Sequence, residues 1–564
     1  MADFDLLIRG GMIVDGTGAP RHRSDLGIKD GKIADIGIFK PHRAKKVLDA
    51  GGMVVAPGFI DLHTHYDAQV FWDPYCSISG WHGVTSVVIG NCGFGFAPVH
   101  PEARDRAMQS LSRVEAIPYT SMKAGMPWDW VMFPEFLQSL DRTPKGINML
   151  PYVPVAPILI WVMGLDDAKS GRLPTDEEHE AMCKLIHEGM EAGGCGWSAQ
   201  RLGPNSVQMD FDGRPMVTDI MHNETALAFA RVLGERNEGF IQMTYLPGSG
   251  AFEDLTRHFE EIAAASGRPI IMNAIQASDR WPERHRALLA WLETCRERGI
   301  RIYGQAVTTD AGFVMALKDW NLWDDNPAWC EVTLGTVEEK KKKMSELHRR
   351  PALRADPSGL ISNTFDDIFV FETHRPENAH FDNMSLGEIG AKLGKHPVDA
   401  MLDLAISEDL ETEFYAPSIG RKLEHLKEIL ANDMTLLGLS DGGAHTKFFT
   451  AGRYPTESIV RLTRENQVLT LEDVHRRLSS WPAWCAGFRD RGTLREGAPA
   501  DVVVYDYENL KALPMEVARD LPGGEWRRVQ RAEGYRWVLV NGEITIEGDQ
   551  STGKTPGRLL RHGR

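Results

Sequence analysis

Two histidines one residue apart, a cysteine in a glycine-rich turn and a late aspartate are the residues of this 564-residue chain whose types and placing suggest chemistry. In APGFIDLHTHYD an apolar stretch ends in His63 and His65, and alternate residues of a strand share a face, so the two rings point the same way. Two imidazoles at one strand end can chelate one ion. Cys92 follows in SVVIGNCGFGFAP, where another apolar run ends in glycines. A thiolate there is a strong zinc ligand, and the competing reading is a buried structural thiol. Asp441 in TLLGLSDGGAH also closes an apolar run and suits either a catalytic carboxylate or a helix N-cap. His445, four residues on, can hydrogen-bond an oxyanion, shuttle a proton or simply cap the next turn. Arg201, His374 and Arg375 are candidates to receive a substrate carboxylate, and Tyr245 offers a hydroxyl to the same region. Trp128, Trp130, Trp161, Trp197, Trp320 and Trp323 are candidates either to line an apolar pocket or to fill a core.

These side chains can meet only if the apolar runs that carry them are neighbours. Eight runs of strand length occur: VVAPGFIDLHTH, VTSVVIGNCG, INMLPYVPVA, GCGWSAQR, GFIQMTYL, RPIIMNAIQ, RIYGQAVTT and TLLGLSDGGAH. They alternate with helical stretches such as DEEHEAMCKLIHEGMEAGG, the pattern of repeated βα units. Eight such units predict an α/β fold with a closed (β/α)₈ TIM barrel over residues 57–489, with its chemistry at the C-terminal strand ends. Strands one, two and eight adjoin in a closed barrel, so His63, His65, Cys92 and Asp441 are expected to converge. Between runs seven and eight a long insertion, about 310–431, is expected to form a lid. Residues 1–56 and 490–564 read as short alternating strands with Gly and Asn-Gly turns, predicting a small β-sandwich domain built from both chain ends.

The formal charge of −16 argues against a nucleic-acid or anionic-membrane surface, which needs clustered Lys and Arg. Seven cysteines with no framework spacing point to a reducing cytoplasm, and no run approaches the apolar length of a membrane span. The expected partner is a small-molecule substrate, with no nucleic acid and no membrane, and the expected assembly is a homo-oligomer.

The chain resembles the amidohydrolase superfamily and, within it, the D-aminoacylase (N-acyl-D-amino-acid deacylase) family. The resemblance runs over nearly the whole length, through DLLIRGGMIVDGTGAP, APGFIDLHTHYD, GVTSVVIGNCGFGFAPV, RIYGQAVTT, FDDIFVFETHRPEN, HPVDAMLDLAISED, LLGLSDGGAH and RGTLREGAPADVVVYD. GNCG is its most specific element. The resemblance implies zinc and amide hydrolysis, with His63, His65 and Cys92 at metal-ligand positions and Asp441 as the catalytic aspartate. Two departures stand out. Strands five and six of that family end in histidines, but here the runs read FIQMTYLPG and IIMNAIQAS, with Thr244 or Tyr245 and Asn273 in their place. Neither Thr nor Asn replaces imidazole as a zinc ligand, so a single ion on His63, His65, Cys92 and Asp441 is expected. No Lys ends strand four, which argues against a carbamylated-lysine pair of metals. The expected activity is metal-dependent cleavage of an amide C–N bond in an N-acyl amino acid or related small amide. The alternatives are a cyclic amide, lactone or amidine on the same scaffold, or a non-catalytic scaffold.

Overall fold

The computed structural model describes residues 3–245, 251–310, 312–319, 322–323, 326–355 and 364–562. Eight parallel strands form the barrel: Phe59–Asp61, Val84–Ile89, Asn148–Pro151 continued by Val153–Pro154, Gly196–Gln200, Phe240–Thr244, Ile270–Gln276, Ile302–Val307 and Thr435–Leu437. Each coincides with one of the eight apolar runs. VTSVVI of strand two is buried at every position, as parallel strands covered on both faces require. Strands one to three make one ladder, and the third continues at Val153 into the ladder that ends in strand eight. The ring closes past the strand ends: Thr64 bridges Gly442 in parallel, and the His65 backbone N–H donates to Gly442 O at 2.6 Å.

Helices cover the outside for local reasons. Asp176–Glu191 starts at a Thr175–Glu178 capping box and buries Met182, Ile186 and Met190 at four-residue spacing. Among the described residues no helix is long and apolar enough to cross a membrane.

Strands from both chain ends form one nine-strand mixed sheet. Val54–Pro57 is its seam, running parallel to Phe4–Ile13 on one side and antiparallel to Val502–Tyr505 on the other. The period of two divides this seam between two cores: Val55, Val502 and Val504 pack with Leu26, Ile28 and Trp537, while Val54, Ala56, Val503 and Tyr505 face the barrel. The hairpin Lys511–Ala518 with Arg527–Glu533 does not join this sheet. It lies against the barrel mouth, where Arg527 pairs with Asp73 and the Arg528 N–H donates to Thr446 O at 2.7 Å.

The insertion has its own small sheet, with Glu413–Ala416 between Phe313–Ala316 and Phe369–Glu372, and its own apolar core. That core also takes in Ala116 and Phe448, which belong to the loops after barrel strands two and eight.

His82 ties the barrel to the hairpin from a fully buried position. Its Nε2–H donates to Gln530 O at 2.9 Å, and its Nδ1 lies 2.7 Å from Thr456 Oγ1. Burial pushes its pKa down to about 4. Relative to an unfolded value of about 6.5 the folded state favours the neutral ring, so this contribution is complete above about pH 6.5 and is lost as pH falls toward 4. The loss amounts to roughly 3 kcal/mol at about 1.4 kcal/mol per unit. Urea denaturation at pH 7 and pH 4.5 is expected to show a smaller acid loss for His82→Gln than for the native chain. An equal loss in both would remove His82 as the titrating group.

Candidate metal centre

The ends of barrel strands one and two are locked together by polar contacts that set the positions of His63, His65 and Cys92. Thr64, between the two histidines, faces the other way and its Oγ1 donates to Val88 O at 2.7 Å. Asn91 Nδ2 donates to both Thr64 O at 3.1 Å and Val88 O at 2.9 Å, and Gly90 N–H donates to Asp67 Oδ2 at 3.1 Å. Cys92 itself adopts a left-handed φ of 59°, as do Asp441 at 52° and His445 at 51°. For non-glycine residues this conformation costs about 1–2 kcal/mol each and marks positions where the surroundings dictate the backbone. Two glycines are needed for close approach: a Cβ on Gly93 would stand 2.5 Å from Ser198 O, and one on Gly443 2.5 Å from His65 O.

Around this frame the donor atoms converge. Asp441 Oδ1 lies 3.4 Å from His63 Nε2 and 3.1 Å from His65 Nε2, and Cys92 Sγ lies 3.7 Å from His63 Nε2. His65 Nε2 makes no hydrogen bond despite these neighbours. Bonds of about 2.0–2.3 Å at tetrahedral angles leave donor atoms about 3.3–3.6 Å apart, so His63, His65 and Cys92 stand near ligand-to-ligand spacing, and Asp441 Oδ1 stands so toward both rings.

The charges agree. Burial opposes protonation of His63, yet Cys92 and Asp441 beside it raise its pKa to about 9. Burial alone would push the Cys92 thiol up, but the facing His63 and His65 rings hold it down at about 6. Asp441 resists burial in the same way and stays well below the usual carboxylate range beside those two rings. The directions favour a thiolate and a carboxylate facing positive charge, which a divalent cation would supply in place of ring protons.

Thr244, at the end of strand five, takes the place of an imidazole with a fixed hydroxyl. The Cys92 N–H donates to Gln242 Oε1 at 3.4 Å, which turns Gln242 Nε2 toward Thr244 Oγ1 at 3.0 Å. The Thr244 hydroxyl proton is left to point at Cys92 Sγ, 3.2 Å away. Asn273 of strand six lines the same cavity, of about 140 Å³.

That cavity brings together His63, His65, Cys92, Asp441 and His445, with Phe313 and Ser418 of the insertion above them. It does not gather the expected carboxylate receivers. Arg201 hangs on Thr244 O by its backbone N–H, but its guanidinium is buried elsewhere, donating to Asn223 Oδ1 at 2.8 Å, and burial lowers its pKa to about 10. Tyr245 is buried beside Asn273, to whose carbonyl its backbone N–H donates, without lining the cavity. His374 is exposed and its N–H is held by Glu408 Oε2 at 3.1 Å, while Arg375 pairs with Asp409. The turn docks on the insertion's own acidic groups, which keeps His374 from the cavity. None of Trp128, Trp130, Trp161, Trp197 and Trp323 lines it either, and Trp320 lies outside the described residues.

The residue that sequence reasoning missed is Glu115. It follows the helix Arg104–Val114 and is about 1% exposed, with Oε1 3.6 Å from His65 Nε2 and Oε2 3.3 Å from His445 Nε2. Burial keeps its pKa well above the ordinary carboxylate range, outweighing the pull of His65. Its one signal in the sequence is the apolar company of Val114, Ala116 and Ile117, which no solvated glutamate needs.

A barrel with a β-domain from both ends and a buried His, His, Cys, Asp cluster at the strand ends defines a class, and the comparisons agree. The amidohydrolase family model matches residues 46–546, and the chain belongs to the amidohydrolase family. It is 25% identical to the N-acyl-D-aspartate deacylase of Alcaligenes xylosoxydans xylosoxydans, over 100% of this chain and 96% of the other. It is 26% identical to the N-acyl-D-glutamate deacylase of the same organism, over 99% and 96%. The fold is similar to the crystal structure of N-acyl-D-glutamate deacylase from Bordetella bronchiseptica complexed with zinc and a phosphonate inhibitor, with TM-score 0.67 and 24% identity over 99% of this chain and 100% of that one.

Loaded with zinc and freed of excess, the protein is expected to retain about one equivalent by elemental analysis. Cys92→Ala should lose that zinc to a chelator far sooner than Cys195→Ala or Cys485→Ala, whose thiols are buried away from the cavity. Unchanged retention in Cys92→Ala would make Cys92 a packing residue.

Proposed function

We propose that the chain is a metal-dependent hydrolase of carbon–nitrogen bonds that cleaves the amide of an N-acyl amino acid or a related small amide. The observation that carries the reading is Asp441, whose two oxygens face different partners: Oδ1 turns to His63 and His65, and Oδ2 lies 3.5 Å from His445 Nε2. That arrangement supports reading one carboxylate as both ion ligand and proton carrier. The named activities of the two deacylases support the choice of an acylated amino acid.

His63, His65 and Cys92, with Asp441 Oδ1 beside both rings, would hold a divalent ion, and that ion would supply Lewis acidity toward water and toward the substrate carbonyl. The protein groups do the rest. Asp441 takes a proton from the attacking water as its oxygen bonds to the carbonyl carbon, then returns that proton to the leaving nitrogen as the C–N bond breaks. The products are a carboxylate and an amine. His445 is kept below its ordinary pKa by burial and so stays neutral at pH 7, where its ring steers Asp441 and is placed to hydrogen-bond the developing oxyanion. Thr244 holds the Cys92 sulfur by its hydroxyl.

A metal-supplemented screen over N-acyl-D- and N-acyl-L-amino acids, cyclic imides and lactones tests the bond type. Turnover of an N-acyl amino acid is the expected result, and turnover of only a cyclic imide or lactone would replace it. On the substrate found, Asp441→Asn should lower kcat by at least about 100-fold with the fold and metal content intact, because an amide cannot take the proton. His445→Ala should cost less. A folded, metal-loaded Asp441→Asn enzyme with near-native kcat would remove Asp441 from the mechanism.

A further inference from the structure

The donors at this centre fall into two overlapping sets. The ligating atoms of His63, His65 and Cys92 lie within 4.8 Å of one another, and so do those of His65, Glu115 and Asp441. The first set is soft, two imidazoles and a thiolate. The second is hard, two carboxylates and one imidazole. His65 belongs to both, and Asp441 Oδ1 is within 3.4 Å of His63 as well.

Glu115 is held in place with care. The chain turns at Ala116 through a φ of 51°, Ala116 packs into the insertion's core, and Glu115 O accepts the His445 backbone N–H at 2.6 Å. Its Oε2 makes no hydrogen bond and lies 3.3 Å from His445 Nε2, and His65 Nε2, which Oε1 faces, makes none either. His65 Nε2 stands 3.1 Å from Asp441 Oδ1 and 3.6 Å from Glu115 Oε1. Buried donors at ligand-to-ligand spacing around an imidazole nitrogen that makes no hydrogen bond are what a cation site looks like before the cation.

Resting on the reading of this cavity as a metal centre, we infer that it holds one ion in either of two seats that share His65: a soft seat on His63, His65 and Cys92, and a hard seat on His65, Glu115 and Asp441. Thiolate selects zinc or cadmium, whereas carboxylates with one imidazole suit manganese. A single Nε2 lone pair binds one ion, so the seats exclude each other.

The test titrates the metal-free full chain with Mn²⁺ and with Cd²⁺, each alone and in competition, by calorimetry and by the electron paramagnetic resonance signal of free Mn²⁺. The native chain should bind one equivalent of either ion, and Cd²⁺ should release Mn²⁺ one for one. Glu115→Gln should weaken Mn²⁺ by at least about tenfold and leave Cd²⁺ nearly unchanged, with Cys92→Ala giving the reverse pattern. Glu115→Asp, which keeps the charge on a shorter arm, should fall between native and Glu115→Gln for Mn²⁺, and it serves if Glu115→Gln fails to fold. Unchanged Mn²⁺ affinity in the Glu115 variants, or simultaneous binding of both ions, would overturn the two-seat arrangement while leaving the soft centre standing. Failure of the native chain to bind either ion would overturn the metal centre itself.

Discussion

The bond from the His65 backbone N–H to Gly442 O closes the barrel, and the centre exists because of where that bond falls. It joins strands one and eight beyond their regular ends, at the residues that carry the chemistry, so ring closure and site assembly are one event. Through it Asp441 is delivered to His63 and His65, and Gly443 has to be a glycine because the His65 carbonyl passes where a side chain would be. The polar ties among Thr64, Asp67, Gly90 and Asn91 then set Cys92 against that pair. Geometry fixed by backbone contacts can hold groups whose charges would otherwise drive rearrangement.

Those charges explain the local electrostatics. Removing two imidazoles, a thiolate and two carboxylates from water is costly, and each group survives only by charging or discharging its neighbour. The rings hold Asp441 and Cys92 toward their charged forms, while burial pushes the Glu115 carboxyl up against the pull of His65. A cation supplies the countercharge that these groups lack from one another.

Much of this was legible in the residues. The eight apolar runs are the eight strands because a parallel strand covered on both faces is mostly apolar, as VTSVVI, buried at every position, shows. His63, His65, Cys92 and Asp441 could be brought together on paper because they follow strands one, two and eight, and adjacency of those strands is a property of any closed barrel. Glu115 could not, since it comes from the end of a helix in a long loop whose path depends on packing against the insertion. Arg201 and His374 failed to reach the cavity for a related reason: residues just past a strand, or inside an insertion, take directions set by partners such as Asn223 and Glu408 far away in sequence. Position along a strand is readable from period and order, whereas position within a loop is a tertiary fact.

The insertion's core takes in Ala116 and Phe448, the near neighbours of Glu115 and His445. The acid and the imidazole that face Asp441 thus sit on barrel loops whose neighbouring residues are packed into the insertion's core. A barrel with the insertion unfolded would still own His63, His65, Cys92 and Asp441, but its outer wall would be missing. Exchanging the insertion for another of different sequence is thus a way to alter the chemistry without touching a single strand, and a chain of this design can change its trade by changing its annex.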